Sequence, residues 1–279
     1  MKILAIIPAR MSSSRFPNKP LKNIANKPML YHVYKRAEMF FKKQDLFIAT
    51  CDAEIMNFSK SINANSIMTS NKHKRASDRV YEAMKKIENM KKFKYDLIVL
   101  LQGDEPLINP SMLKKAINPF KNNKSIKVLN LMKKIDKIND ALDPNEVKVV
   151  VDQSSFALYF TREPIPSKKK CLREFPVLKQ VCIISFQRDF LLAFNKLSPS
   201  PLEITESIDM LRVLEHGFKV KMVLTSKHTY SVDTQQDIEK VIHYAELLLE
   251  DKYPDDEGTR RGKETEKYIK KLNEKCPHN

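Results

Sequence analysis

Along the first hundred residues, short unbroken apolar runs alternate with segments whose apolar residues recur every three or four positions. Ile3–Ile7 predicts a buried strand. Pro28 then opens a helical stretch with Leu30, Val33, Tyr34, Ala37 and Phe41 on one face. Leu46–Ala49 predicts a second strand, Ala53–Ala64 a helix and Ser66–Met68 a short third strand. Ser77 is placed to cap the next helix, with Asp78 in its favourable first turn and Val80, Met84 and Ile87 sharing a face. Leu97–Leu101 is five apolar residues in a row, as in a strand covered on both sides. Strands and helices alternating in this way predict an α/β fold: a three-layer α/β/α, Rossmann-like domain on a mostly parallel sheet.

The pattern loosens in the middle. Val147–Val151, Ala157–Phe160 and Val181–Phe186 read as strands with few helices between them, which predicts an antiparallel excursion carrying a small mixed lobe over about 145–200. Ser200-Pro201-Leu202-Glu203 then forms a capping box with proline at the first helical position. Ile204, Ile208 and Leu211 are the expected buried stripe of that helix, and Gly217 is its expected stop. Lys219–Leu224 predicts another strand and Gln236–Leu249 a last core helix. The domain is expected to span 1–250. Residues 251–279 are charge-dense and read as a peripheral or disordered tail.

Composition narrows the function classes. No apolar run approaches the roughly 18 residues of a membrane span, and Met1–Ala9 runs straight into Arg10 without the features of a signal sequence, so a cytoplasmic location is expected. Four scattered cysteines lack any CxxC spacing, and the six histidines form no HExxH pair, so neither a disulfide framework nor a transition-metal cluster is supported. The 50 Lys and Arg against 34 Asp and Glu leave a formal charge of +16, which suits anionic partners or a heavily solvated surface. A nucleic-acid binder would concentrate that charge in a stripe with interleaved aromatics; here the lysines spread over every helix and there is no Trp. The chain has only four glycines, about a fifth of the usual ~7% share. Neither a dinucleotide-binding fingerprint nor a Walker loop occurs.

Polar residues crowd the ends of three apolar segments, where open parallel sheets bind ligands. After the first strand, Arg10, Arg15 and Lys19 flank a serine-rich stretch. Small residues there would let backbone amides approach a phosphate chain while the cations neutralise it, although an ordinary basic surface loop would look similar. After Leu97–Leu101, Asp104 and Glu105 could hold Mg²⁺ against phosphate oxygens or simply close an acidic turn. Before the last helix, Asp233 or Thr234 could be no more than a helix cap.

Together with further ordered matches these segments are specific. IIPARMSSSRFPNKPL, NKPML, IAT, MTSNKHKRASDRVYEA, LQGDEPLI, NEVKVVVD, ALYFTREPIP, the SPLE…LRVLEHG stretch and SVDT follow one another from Met1 to about Leu249. In these the chain resembles the CMP-Kdo synthetases (3-deoxy-manno-octulosonate cytidylyltransferases), sugar-activating nucleotidyltransferases. The resemblance implies transfer of CMP from CTP to the anomeric hydroxyl of Kdo with release of pyrophosphate, for lipopolysaccharide or surface polysaccharide synthesis. It also implies Mg²⁺ as cofactor and a homodimer formed through the lobe. Matched position by position, it implies that Arg10, Ser13, Arg15 and Lys19 bind the CTP phosphates. Gln102 would touch the nucleotide, with His73, Ser77 and Arg79 along its pocket. Asp104 and Asp233 would hold the metal, and Arg162 falls in the segment that builds the sugar pocket. Arg10, Lys19 and Asp104 are the expected catalytic residues.

The departures from the family pattern fall into two groups. Asn18 and Asn26 replace glycines, and asparagine is the residue that best tolerates left-handed backbone after glycine, so the loop geometry is expected to survive. Ser231 replaces a third glycine. Elsewhere, Arg75-Ala76 adds a cation beside the nucleotide pocket, and Cys51 stands in place of an aspartate. Gln180-Val-Cys-Ile-Ile184 and Asp209-Met210 change the sugar side, where Gln180, Asp209 and Met210 are the residues expected to face the acceptor. Altered hydrogen-bonding groups there leave a modified ulosonate, amino-substituted or sialic-acid-like, as the alternative acceptor. A nucleotide-binding module without catalysis is the second alternative.

Overall fold

The computed structural model describes residues 1–12, 16–24, 26–135, 138–167, 176–227, 231–239 and 241–242. From the N-terminus run β1 (Ile3–Pro8), the hairpin β2 (Asn23–Ile24) and β3 (Lys27–Pro28), then α1 (Met29–Glu38), β4 (Leu46–Thr50), α2 (Ala53–Ser61) and β5 (Ser66–Met68). Next come α3 (Ala76–Lys91), β6 (Leu97–Leu101), α4 (Pro110–Asn122), β7 (Val128–Lys134) and α5 (Ile138–Leu142). The lobe supplies β8 (Lys148–Val151) and β9 (Ala157–Thr161). Then follow β10 (Leu178–Gln187), α6 (Arg188–Phe194), α7 (Pro201–Glu206), α8 (Asp209–Glu215) and β11 (Lys221–Leu224).

The main sheet runs β11-β7-β10-β6-β1-β4-β5. Every neighbouring pair is parallel except the two made by β10, which runs against both β6 and β7. Successive side chains of β1 point to opposite faces, as strand geometry requires. Leu4 and Ile6 join a core with Val80, Met84 and Ile87 of α3, Phe190 and Phe194 of α6 and Leu211 of α8. Ala5 and Ile7 face Leu30 and Val33 of α1 and Met112 and Leu113 of α4. Two such cores on one sheet make the expected three layers.

Several boundaries differ from the sequence pattern for identifiable reasons. Arg75, not Ser77, stands at the N-cap of α3; Ser77 lies inside the first turn and donates its hydroxyl to Asp209 Oδ2 at 2.5 Å. The helix that follows the capping box is broken in two at Ser207, which adopts left-handed backbone (φ 58°). The break rotates the expected stripe: Ile208 and Leu211 are buried, but Ile204 is 63% exposed. Gly217 (φ 76°) ends α8 as expected. The expected last helix begins after Thr234; its part beyond 242, and the tail, lie outside the described residues.

The pattern also missed α4, β7 and α6. Pro110 and Pro119 punctuate α4, yet Pro110 sits in the first turn, where a missing amide costs nothing, beside a capping Asn109 that accepts from Ser111 N (2.9 Å). β7 hides behind the buried polar Asn130, whose amide donates to Val181 O (2.6 Å) and Ile183 O (3.1 Å). Those carbonyls are left over where β10 bulges against β7 between Val181 and Ile184.

Candidate active site

Three loops meet at the carboxyl ends of β1 and β6. The first leaves β1 at Pro8, is held to β4 by Ala9 N to Ala49 O (2.9 Å), and is turned back by Asn18, whose left-handed backbone (φ 59°) starts a single 3₁₀ turn over Lys19–Leu21. The second leaves β6 at Leu101. Gly103 packs so close to β1 that a Cβ there would stand 3.1 Å from Pro8 O, tighter than nearly all real contacts. The third is tied to the second by Val232 N donating to Asp104 O at 2.9 Å. A small separate core of Phe16, Ile24, Met29, Leu107, Val232, Ile238 and Val241 staples all three together.

The result is an ion cluster built from residues 19, 104 and 233. Lys19 Nζ donates to Asp104 Oδ2 (2.9 Å), Asp233 Oδ1 (3.2 Å) and Val232 O (2.7 Å). Burial works against this ammonium, but the two carboxylates outweigh it and hold its pKa above the ordinary value. Thr234 performs the capping role, its Oγ1 accepting from Asp237 N (3.3 Å), so the Asp233 carboxylate is turned to the site. Behind the cluster lies Glu105. Its Oε1 accepts from the Ser231 hydroxyl (3.0 Å) and its Oε2 has no hydrogen-bond partner. Burial pushes its pKa up to about 7. Ser231, one of the replaced glycines, thus gains a partner of its own.

Two cavities open from this point and share Pro8, Ala9, Arg10, Gly103 and Asp104. The larger, about 570 Å³, is also lined by Lys19, Asn145, Arg162 and Ser207. The smaller, about 190 Å³, adds His73, Arg75, Arg79 and Gln102. Most of the expected nucleotide residues therefore converge. Arg79 is fixed by Nη1 to Thr69 Oγ1 (2.5 Å) and His73 by Glu82, while the backbone N–H of Gln102 donates to Cys182 O (3.2 Å). Ser13 and Arg15 lie outside the described residues.

The sugar-side expectations divide. Arg162 lines the larger cavity, with its Nε donating to Glu206 O (2.8 Å) and Nη1 to Pro144 O (2.7 Å). Asp209 is tied to Ser77, and burial raises its pKa against that hydroxyl. Gln180 donates its side-chain amide to Asn130 beside the β10 bulge and lines neither cavity. Met210 is fully buried in the core above α3. Sequence reasoning missed Glu206, whose carboxylate accepts from Thr161 Oγ1 (2.6 Å) and Arg162 N (2.9 Å), and Glu82, which holds His73 and Ser70 N (2.9 Å). Nothing local marks Glu206, because its partners lie more than forty positions away. Arg75 was visible only as an added cation. It donates to Ser207 Oγ (2.6 Å) and Glu203 O (3.0 Å), joining α3 to the break between α7 and α8.

A carboxylate pair and convergent cations at the carboxyl edge of a mostly parallel sheet are suited to binding a nucleoside triphosphate, the arrangement of a nucleotidyltransferase. Comparison with known proteins agrees. A family model described as cytidylyltransferase matches residues 4–227. A 3-deoxy-manno-octulosonate cytidylyltransferase of Geobacter metallireducens is 40% identical over 252 residues, covering 87% of this chain and 97% of that protein. One from Solibacter usitatus is 41% identical over 240 residues, covering 86% and 93%. A solved CMP:2-keto-3-deoxy-manno-octonic acid synthetase complexed with CTP superposes with a TM-score of 0.79 at 33% identity, covering 89% of this chain and all of that one. The chain belongs to the cytidylyltransferase family.

Proposed function

We propose that this protein transfers CMP from CTP to the anomeric hydroxyl of Kdo, releasing pyrophosphate. The observation that carries the reading is the meeting of Lys19, Asp104 and Asp233, from three distant segments, where Lys19 and Asp104 line a cavity that also presents Arg10 and Arg162. Arg10 and Lys19 would stabilise the charge that grows on the departing phosphates. Arg162 supplies a cation on the side where an acidic sugar must lie, held in place by Glu206 and Pro144.

The site fits Mg²⁺. Among the described residues no group of three or more His, Cys, Asp or Glu side chains gathers to cage a metal. Mg²⁺, however, is commonly held by one or two carboxylates with substrate phosphates and water completing its shell. Asp104 and Asp233 are such a pair, and the buried Asp104 Oδ1 has no hydrogen-bond partner. Bound there, Mg²⁺ would neutralise phosphate charge and acidify the attacking hydroxyl.

Among the described residues no helix is long and apolar enough to cross a membrane, and we place the protein in the cytoplasm, serving lipopolysaccharide or surface polysaccharide synthesis. We also propose a homodimer. Leu158 on β9 and Ile204 on α7 are 62% and 63% exposed, apolar surface of the kind an interface covers.

The deciding experiment is pyrophosphate release with CTP and Mg²⁺ against Kdo, an 8-amino analogue and N-acetylneuraminate. Release with Kdo and none without an acceptor is the expected result. Release with the amino analogue alone would reassign the acceptor, and no release with any would sink the transferase reading.

A further inference from the structure

Lys19 and a divalent ion would compete for the same two carboxylates. The ammonium already bridges Asp104 Oδ2 and Asp233 Oδ1, anchored by a third bond to Val232 O, so an ion joining both carboxylates would meet its charge even though Asp104 Oδ1 has no hydrogen-bond partner. The three groups are mostly buried, with side-chain exposures of 12% for Lys19, 23% for Asp104 and 14% for Asp233. Two carboxylates brought together without a cation would repel strongly. The fold therefore needs a positive charge at this point before any ligand arrives, and Lys19 supplies it. The same side chain lines the larger cavity beside Arg10, so a triphosphate entering there offers its ammonium a second set of anionic oxygens.

We propose that Lys19 is a resident stand-in for the metal: it occupies the Asp104–Asp233 pair in the nucleotide-free protein and yields it when the triphosphate draws the ammonium away. The inference rests on the reading of Asp104 and Asp233 as metal ligands. Its consequence is an order of events. The nucleotide-free protein holds a divalent ion poorly, and the ion enters with the nucleotide or after it.

The test is Mn²⁺ binding to the full chain without nucleotide, read from the loss of the free-ion electron paramagnetic resonance signal. Lys19→Met and Lys19→Gln are both used, since glutamine can still donate to Val232 O and preserve the fold if methionine does not. Each is expected to bind one Mn²⁺ at least about tenfold more tightly than the wild type, because a competing occupant lowers apparent affinity by the fraction of open sites. Arg10→Met, which removes a cavity cation without touching the pair, is expected to change affinity by less than about threefold, since a solvated charge acts weakly at a distance. Lysine variants that bind no more tightly than wild type overturn the proposal. So does an equal gain in Arg10→Met, which would reduce the effect to general charge. Adding Asp104→Asn to Lys19→Met should abolish the gain; its survival would put the ion elsewhere and overturn both the stand-in role and the ligand assignment. Failure of every sugar in the pyrophosphate assay would instead remove the Kdo reading and leave the Mn²⁺ result standing.

Discussion

On the proposed nucleotide side, Arg10, Gln102 and Asp104 are positioned by backbone at the ends of β1 and β6, with parallel partners beneath them and a close Gly103–Pro8 contact between them. On the proposed sugar side, Arg162 follows directly on the antiparallel strand β9 and is held by Glu206 at the end of α7, where the chain breaks at Ser207. The first arrangement is set by a ladder of main-chain bonds, and the second by a few side-chain contacts across loops. Positions fixed by backbone tolerate changes in neighbouring side chains. Positions fixed by side chains move when one of them is replaced.

The largest expected effect comes from breaking the part both sides share. Asp104→Asn should lower turnover by about 10³-fold, the scale of losing a metal or a charge-stabilising group at the reacting centre. Circular dichroism should show the fold intact; near wild-type turnover would remove Asp104 from the chemistry. Glu206→Ala then tests the sugar side alone. Removing the acceptor for Thr161 Oγ1 and Arg162 N should raise the sugar KM about tenfold and leave the KM for CTP unchanged, an ordinary result of misplacing one binding group. A rise in both constants would mean that the two sides are not separable.

Glu82→Gln is the matching change on the nucleotide side and should raise the KM for CTP by a few-fold through His73. It also carries a pH signature. Partial burial pushes the Glu82 pKa up, but hydrogen bonds from Lys86, the Ser70 amide and His73 more than offset this and leave it at about 2. A carboxylate depressed in the folded state stabilises above its ordinary value near 4.5 and loses that contribution as pH falls toward 2. The variant's melting temperature should therefore fall less steeply than wild type across that acid range; parallel curves would refute the assignment. The smallest effect is expected from Asn18→Gly. Relief of left-handed strain and added freedom in the unfolded chain oppose each other, so stability should stay within about 0.5 kcal/mol and CTP binding should not change.

Much of this was legible in the chain itself. The five-residue run Leu97–Leu101 became a fully buried strand, and the expectation that Asn18 and Asn26 keep a left-handed turn holds at φ 59° and 62°. The elements that escaped are those whose logic is tertiary. Asn130 inside β7 makes sense only against the carbonyls freed by the β10 bulge, and the interruption at Ser207 turns Ile204 outward where helical spacing alone would bury it. The candidate site residues that the fold brings together are mostly those that cluster in sequence after a strand, such as Arg10, Gln102 and Asp104. Groups such as Glu206 and Glu82, which hold Arg162 and His73 from other segments, leave no local mark in the sequence.

The scarcity of glycine reaches beyond the native geometry. Only two of the four glycines precede residue 250, yet among the described residues six others adopt left-handed backbone, three of them asparagines. In the denatured ensemble each such side chain removes conformations that a glycine would have sampled, so the chain has less entropy to surrender when the loop around Lys19 closes. The turn that leads into Lys19 is thus specified partly by what the unfolded chain can no longer do.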